Sequence, residues 1–279
     1  MSTIKAKILE EAVKLVPKYG FVEANLLPST LDVLKAKGEY DNKENMANLN
    51  FVQLFPRGFP IAVVEYIVDN SNKVTHQRLE KCFNKSAIFS SIVENKELYR
   101  MGYYKPPDVK KVVEEAMLTK FNTLLPYVHH WPEAVALEWN PANVPFAIKN
   151  VAEFVDTTCY YAERMENLGT VIASGNVLLQ SRVFSSFNPG VHLENKNIAH
   201  HNVSSSKTEE ERFWESFSLG IPLSSSPQTS GGLVNCQWYA MRTKVAAVFS
   251  MGMLSFVGEA KMNHPETKAM VKRLTDTLL

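Results

Sequence analysis

Apolar residues return every three to four positions along most of this chain, and polar residues fill the gaps. Ile8, Leu9, Ala12, Val13, Leu15 and Val16 keep that spacing, which predicts an amphipathic helix over residues 5–18, stopped at Gly20. A second short helix is expected over 26–37, then a polar, Asn-rich stretch over 38–50. NFVQLFPRGFP comes next at 50–60, and a long helical run over 61–83 has Pro60 near its first turn. Residues 84–107 look like a crossing into a second helical layer. Residues 109–125 form a helix with Val112, Val113, Ala116, Met117 and Leu124 on its apolar positions. Pro126 and WPEAVALEWNPANVP then punctuate the chain. They frame a short helix over 134–139 closed by Asn140-Pro141, and a longer one over 144–162 with Pro145 at its start. The pattern resumes over 235–260 and ends in a short helix over 265–278. The fold class expected is all-α.

Between 163 and 234 the character changes. VSSSKTEEE and PLSSSPQTSGG read as linker, with an aromatic island, FWESFSLGI, at 213–221. Most of 175–232 is expected to be loosely ordered. The division expected is an N-terminal helical region over 1–95 and a second helical region over 96–279, with a flexible insert at about 163–234. No internal repeat is visible.

Composition narrows the partners more than the fold. The chain has 279 residues, 45% of them apolar, enough for one large or two small cores. A net charge of +1 exerts no bulk pull toward nucleic acid or an anionic surface. Cys82, Cys159 and Cys236 make no CxxC and read as small buried hydrophobes in a reducing compartment. The opening residues show no signal region and no Arg- and Ser-rich leader, so an organellar protein would have its targeting segment outside this chain. The longest apolar run, 245–258, has 14 residues between Lys244 and Glu259. A membrane span needs about 20, so a buried helix is expected there.

No catalytic constellation emerges. Ser174 lies in IASGN, without G-x-S-x-G or a preceding strand. His129 and His130 are adjacent and point about 100° apart on a helix, so they cannot share one metal face, and they read as solvated or capping residues. His200 and His201 fall in the linker, and no H-E-x-x-H or E-x-x-H pair occurs. Phosphate-binding glycine loops are missing, and Glu114-Glu115 reads as a solvated helix face. No cofactor and no metal are expected.

Two stretches suggest binding. Over 235–260, Ala246, Ala247, Ser250, Gly252 and Ser255 interleave with Phe249, Met251, Met253, Leu254 and Phe256. Small residues inside a helix either let a neighbour approach or leave room for an apolar tail, and both readings stand. If there is a pocket, its candidates are Val113, Met117, Phe121, Ile148, Phe154, Phe249, Met253 and Phe256. Over 265–278, Thr267, Val271, Leu274 and Leu278 share one narrow face with Met270 beside them, Lys268 and Lys272 lie opposite, and Arg273 flanks it. Such a helix can lie in a membrane interface or dock on its own core.

The N-terminal pattern resembles the TetR family of repressors over about 75 residues. Gly20-Phe21 matches the Gly–aromatic end of helix one, and Leu54-Phe55-Pro56 the element before the long fourth helix. A DNA-reading helix needs basic and amide side chains. Residues 41–57 carry Asp41, Lys43, Glu44 and Arg57, which sum to zero, and Lys35 and Lys37 alone make no stripe. A vestigial helix-turn-helix on a TetR-like helical bundle is therefore expected, with no nucleic acid bound. The alternative is a TetR-type transcriptional regulator with a hydrophobic ligand.

A second resemblance covers nearly all the predicted helices. LLPYVHHWPEAVAL, PANVPFAI, VDTTCYYA and NCQWYAMRTKVAAVF, with Trp131, Tyr161, Trp238, Tyr239 and Arg242, resemble the lipid-binding accessory family of coenzyme Q biosynthesis, the ninth of the Coq set. The resemblance implies a non-catalytic homodimer on the matrix side of the mitochondrial inner membrane. It implies binding of phospholipid and of isoprenoid quinone precursors, and their presentation to the demethoxyubiquinone hydroxylase alongside other Coq-complex proteins. It places a partner surface at Asp156, Tyr160, Tyr161, Trp238 and Tyr239, and membrane contact at Val271, Lys272, Leu274 and Leu278. The chain departs from the family pattern at Cys159, where a tryptophan is usual, and in the long stretch from Glu163 to Val234. Both fall at the expected partner surface.

Overall fold

The computed structural model describes residues 2–38, 50–180, 208, 210–211, 236–259 and 264–279. All regular structure among them is helical, as expected. The helices are α1 (Ser2–Tyr19), α2 (Glu23–Ala36), α3 (Phe51–Leu54), α4 (Phe59–Phe83), α5 (Lys85–Glu94), α6 (Lys96–Arg100), α7 (Val109–Leu124), a 3-10 turn (Leu125–His130), α8 (Trp131–Glu138), α9 (Val144–Gln180), α10 (Cys236–Gly258) and α11 (Pro265–Leu278).

Local chemistry sets most helix ends. Asn84 and Asp108 cap α5 and α7, each accepting from the amide three residues on, Ala87 at 2.6 Å and Lys111 at 2.9 Å. Gly20 ends α1 at φ +65°. A Cβ there would lie 2.8 Å from both Glu133 Oε2 and His130 Nδ1, so only glycine lets the chain pass the 3-10 turn. The Phe21 amide then donates to Glu133 Oε2 at 3.0 Å, and His130 faces Glu133 at 3.3 Å. His130 is thus a structural hydrogen-bonding residue.

α4 is the central post, packed on α7 and α9, while α10 packs on α9 and α11. One buried cluster joins them, with Phe59, Trp131, Phe154, Tyr161 and Phe256 among its largest members. The division expected near residue 95 falls between α5 and α6, and the cluster draws side chains from both sides of it.

Three expectations change. The crossing at 84–107 contains two helices, α5 and α6. The helix expected over 144–162 runs on to Gln180, so the first part of the expected linker is helical; Met165, Leu168 and Ile172 keep its register and bury against the body. α10 matches the helix expected over 235–260, but the expectation that no segment reaches the length of a membrane span does not hold. Trp238–Gly258, and the stretch Phe51–Glu94, are long and apolar enough to cross a membrane by length and composition alone. Both supply core residues within the protein. Most of the segment expected to hold the second helix of the helix-turn-helix, the aromatic island at 213–221, and His200 and His201 lie outside the described residues.

Candidate functional site

The space between α7, α9 and α10 is solid. Phe121 stacks on Phe249 and Phe256 with ring centres 6.1 and 5.3 Å apart, and Phe154 meets Phe249 at 5.0 Å. Val113 and Met117 are buried in the same packing. Gly252 marks the closest approach: a Cβ there would sit 3.0 Å from the Phe121 ring and 3.2 Å from Val271. Six of the eight pocket candidates, Val113, Met117, Phe121, Phe154, Phe249 and Phe256, are therefore core. The hollow expected between these three helices is filled, because flat rings stack without leaving room for a chain.

The open space lies one helix over, on the other face of α10. Two grooves run between α8, α9 and α10, of about 580 and 530 Å3. Both volumes fall within the usual range of ligand sites. They share Glu138, Trp139 and Val151, so they form one track. One stripe of α10 lines its whole length. Trp238, Tyr239, Thr243 and Ala246 face the first groove, and Ser250, Met253, Leu254 and Val257 the second. From 238 to 257 that stripe spans roughly 28 Å at 1.5 Å per residue. α9 answers with Val144, Ala147, Ile148, Val151, Ala152 and Val155, again at helical spacing. Ile148 and Met253, the remaining pocket candidates, lie here; Phe249 spans both environments, buried in the core yet touching the second groove.

Exposed apolar side chains line this track: Trp139 is 73% exposed, Ile148 64% and Leu254 76%. The small residues of α10 thus serve both purposes. Gly252 lets α7 and α11 approach, while Ala246 and Ser250 leave space on the groove side.

Four charged residues interrupt the apolar lining: Asp156 and Arg242 at the first groove, and Lys120 and Glu138, both of which the sequence reading missed. Lys120 stands in the floor of the second groove, where burial pulls its pKa down to about 7. Glu138, shared by both grooves, is pushed up to about 7 by burial, with the Lys120 charge opposing. The legible signal for Lys120 was its phase. It falls on the stripe of Val113, Met117 and Leu124, where a solvated lysine does not belong.

Three of the expected partner residues, Asp156, Tyr160 and Trp238, gather at an adjoining, more polar cleft of about 350 Å3, lined also by His76, Thr157 and Arg242, which shares Asp156, Trp238 and Arg242 with the first groove. Arg242 organises it. Its Nε donates to Asp156 at 2.6 Å, an Nη to Glu163 at 3.0 Å, and its guanidinium lies 3.5 Å over the Trp238 ring. Tyr239 is exposed beside Trp238. Tyr161 does not join this surface. It is buried, and its hydroxyl donates to Glu80 at 2.5 Å. Cys159 is likewise buried, its thiol pushed up to about 12, first by loss of solvent.

α11 places Val271 at 0% exposure against Gly252, with Leu274 and Leu278 packed at the edge of the core. Glu259 fixes its start by accepting from the amides of Glu266 and Thr267 at 2.9 and 2.8 Å. The apolar stripe is committed to the interior, while Lys268, Lys272 and Arg273 face outward. Among the described residues no group of three or more His, Cys, Asp or Glu is placed to hold a metal.

No protein-family model matches the chain. It is 29% identical over 69 residues to the bovine mitochondrial ubiquinone biosynthesis protein COQ9, a match covering 25% of this chain and 22% of that protein. The human counterpart is 28% identical over 69 residues, with the same coverage. The Drosophila melanogaster counterpart is 25% identical over 162 residues, 58% of this chain and 41% of that protein. The matches thus span less than half the length of these relatives. Their agreement in name supports the resemblance read from the sequence: the chain is similar, over part of its length, to the COQ9 family of ubiquinone biosynthesis proteins.

Proposed function

We propose that this protein is a mitochondrial, non-catalytic accessory protein of ubiquinone biosynthesis, and that its physical task is to hold the apolar tail of a lipid in the track between α8, α9 and α10. The observation that carries this is the continuous stripe of α10 left facing open apolar space while the neighbouring stripe of Val245, Val248, Gly252 and Phe256 on the same helix is buried. The relatives' shared name supplies the pathway.

A polyprenylated quinone precursor is nearly insoluble in water. Its ring must leave the bilayer to reach a water-filled active site. Burying a few hundred Å2 of tail contributes on the order of 10 kcal/mol gross, before association and ordering costs. The Arg242 cleft opens beside the track and shares Trp238 and Asp156 with it, so it is where a demethoxyubiquinone hydroxylase would dock to take the head. Homodimerisation, a TetR-like bundle and a matrix-side seat on the inner membrane complete the proposal. With α11 docked, the outward Lys268, Lys272 and Arg273, not Val271, meet an anionic surface.

Native mass spectrometry and lipid extraction of the purified protein test it. The expected result is a copurifying or exchangeable isoprenoid or phospholipid. A protein that carries none and takes up none from vesicles overturns it. Salt-dependent binding to a palindromic DNA site would instead favour the regulator.

A further inference from the structure

The second groove contains more than an apolar slot requires. Lys120, 2% exposed, stands in its floor. Its Nζ donates to Ser71 Oγ at 2.9 Å and to Asn72 Oδ1 at 2.5 Å. Both acceptors are held in place, because Ser71 Oγ donates to the Val68 carbonyl and Asn72 Nδ2 to the Asn150 carbonyl. An ammonium has three N–H groups. One therefore lacks an oxygen acceptor among the described residues, where the Phe154 and Phe249 rings flank the nitrogen at 4.9 and 5.8 Å.

Glu138 lines the same groove without reaching ion-pair distance, and it makes no hydrogen bond among the described residues. A buried charge is costly unless something answers it. Here the place for the answering group is the groove itself.

Resting on the reading that this track holds an apolar chain, we infer that Lys120 is a headgroup anchor: the groove selects amphiphiles ending in one carboxylic acid, bound as the carboxylate. The head completes the hydrogen bonding of Lys120, and the chain runs along the α10 stripe toward Trp238. A neutral alcohol answers the N–H but not the charge. A phosphate fits poorly for the opposite reason. Its several oxygens need several donors, and among the described residues Lys120 is the one basic side chain lining this groove, with a carboxyl group facing it.

The test uses the full chain and Nile red, a neutral apolar dye, as reporter of the track. Oleate, oleyl alcohol and oleyl phosphate compete for it at pH 7, where a substantial fraction of Lys120 carries its proton. Oleate should displace the dye at roughly one tenth the concentration that the alcohol and the phosphate need, the size of one charge-assisted hydrogen bond. Lys120→Met, checked for native circular dichroism, should still bind Nile red but lose the tenfold preference. Glu138→Gln removes the opposing carboxylate and should tighten the preferred acid about fivefold, a gain that does not depend on how Lys120→Met folds. Dye binding without acid preference in the unmodified protein overturns the anchor and leaves the groove standing. So does a preference that survives Lys120→Met, or a Glu138→Gln variant that binds the acid no better. Failure of Nile red to bind at all sinks the groove and the anchor together.

Discussion

The two faces of α10 have similar composition and opposite fates. On one, Val245, Val248, Phe249, Gly252 and Phe256 are buried against α7, α9 and α11. On the other, Tyr239, Ala246, Ser250, Met253 and Leu254 line space that no described side chain fills. Both faces mix aromatic, aliphatic and small residues, so composition does not separate a filled core from a vacant track. What separates them is the neighbour. α7 offers Phe121, a flat ring that fills the gap and stacks. α8 and α9 line the other face, with Trp139, Ile148 and Val151 among the lining residues, and space stays open between them and α10.

Substitutions on the two faces should therefore differ sharply. Phe256→Ala empties a fully buried ring site and should cost about 3–5 kcal/mol in chemical denaturation. A value under about 1 kcal/mol would mean this face is not solid.

The effect of pH is of similar size. Folding lowers the Lys120 pKa from 10.5 to about 7, so the unfolded chain holds more protons than the folded one between those values. The contribution of Lys120 to stability must then rise with pH across that window, by on the order of 5 kcal/mol. Glu138 acts in the window below. Its pKa rises from 4.5 to about 7, so the folded state holds more protons there, and its contribution falls as pH rises. Lys120→Met should flatten the upper limb and Glu138→Gln the lower one, both read from denaturation midpoints against pH. Upper limbs that superimpose for the protein and Lys120→Met would place that lysine in solvent.

Gly252→Ala should cost about 1 kcal/mol, because the new methyl must push Phe121 and Val271 aside by a few tenths of an ångström. Leu254→Ser, on the open face, should change stability by less than about 0.5 kcal/mol while weakening uptake of an apolar dye.

Much of this was legible along the chain. The residue spacing marked α1, α7, α10 and α11 closely, because each carries an apolar stripe at helical period and a clear stop. The second half of α9 was harder to see. The change of character after residue 163 read as linker, yet Met165, Leu168 and Ile172 hold the helical phase beyond it. A Cβ on Gly169 would meet Pro106 at an ordinary 3.6 Å, so that glycine marks no bend and tertiary burial outweighs its low helix propensity. The track itself was out of reach. Its walls come from α8, α9 and α10, and spacing within a helix does not reveal which neighbour leaves a face uncovered. Lys120 was concealed by type, since a lysine in VKKVVEEAMLTKFNTL reads as solvated until its phase is compared with Met117 and Leu124. The α11 stripe was seen correctly and is occupied by the protein's own core, with Val271 fully buried.

The sharpest test of the whole account is native mass spectrometry of the protein beside Ala246→Trp, a substitution that places a large ring in the track midway along α10. The account predicts bound lipid on the unmodified chain, little or none on the variant, and denaturation midpoints that match. Equal lipid occupancy on both would show that the chain binds lipid elsewhere, and the track between α8, α9 and α10 would lose its role.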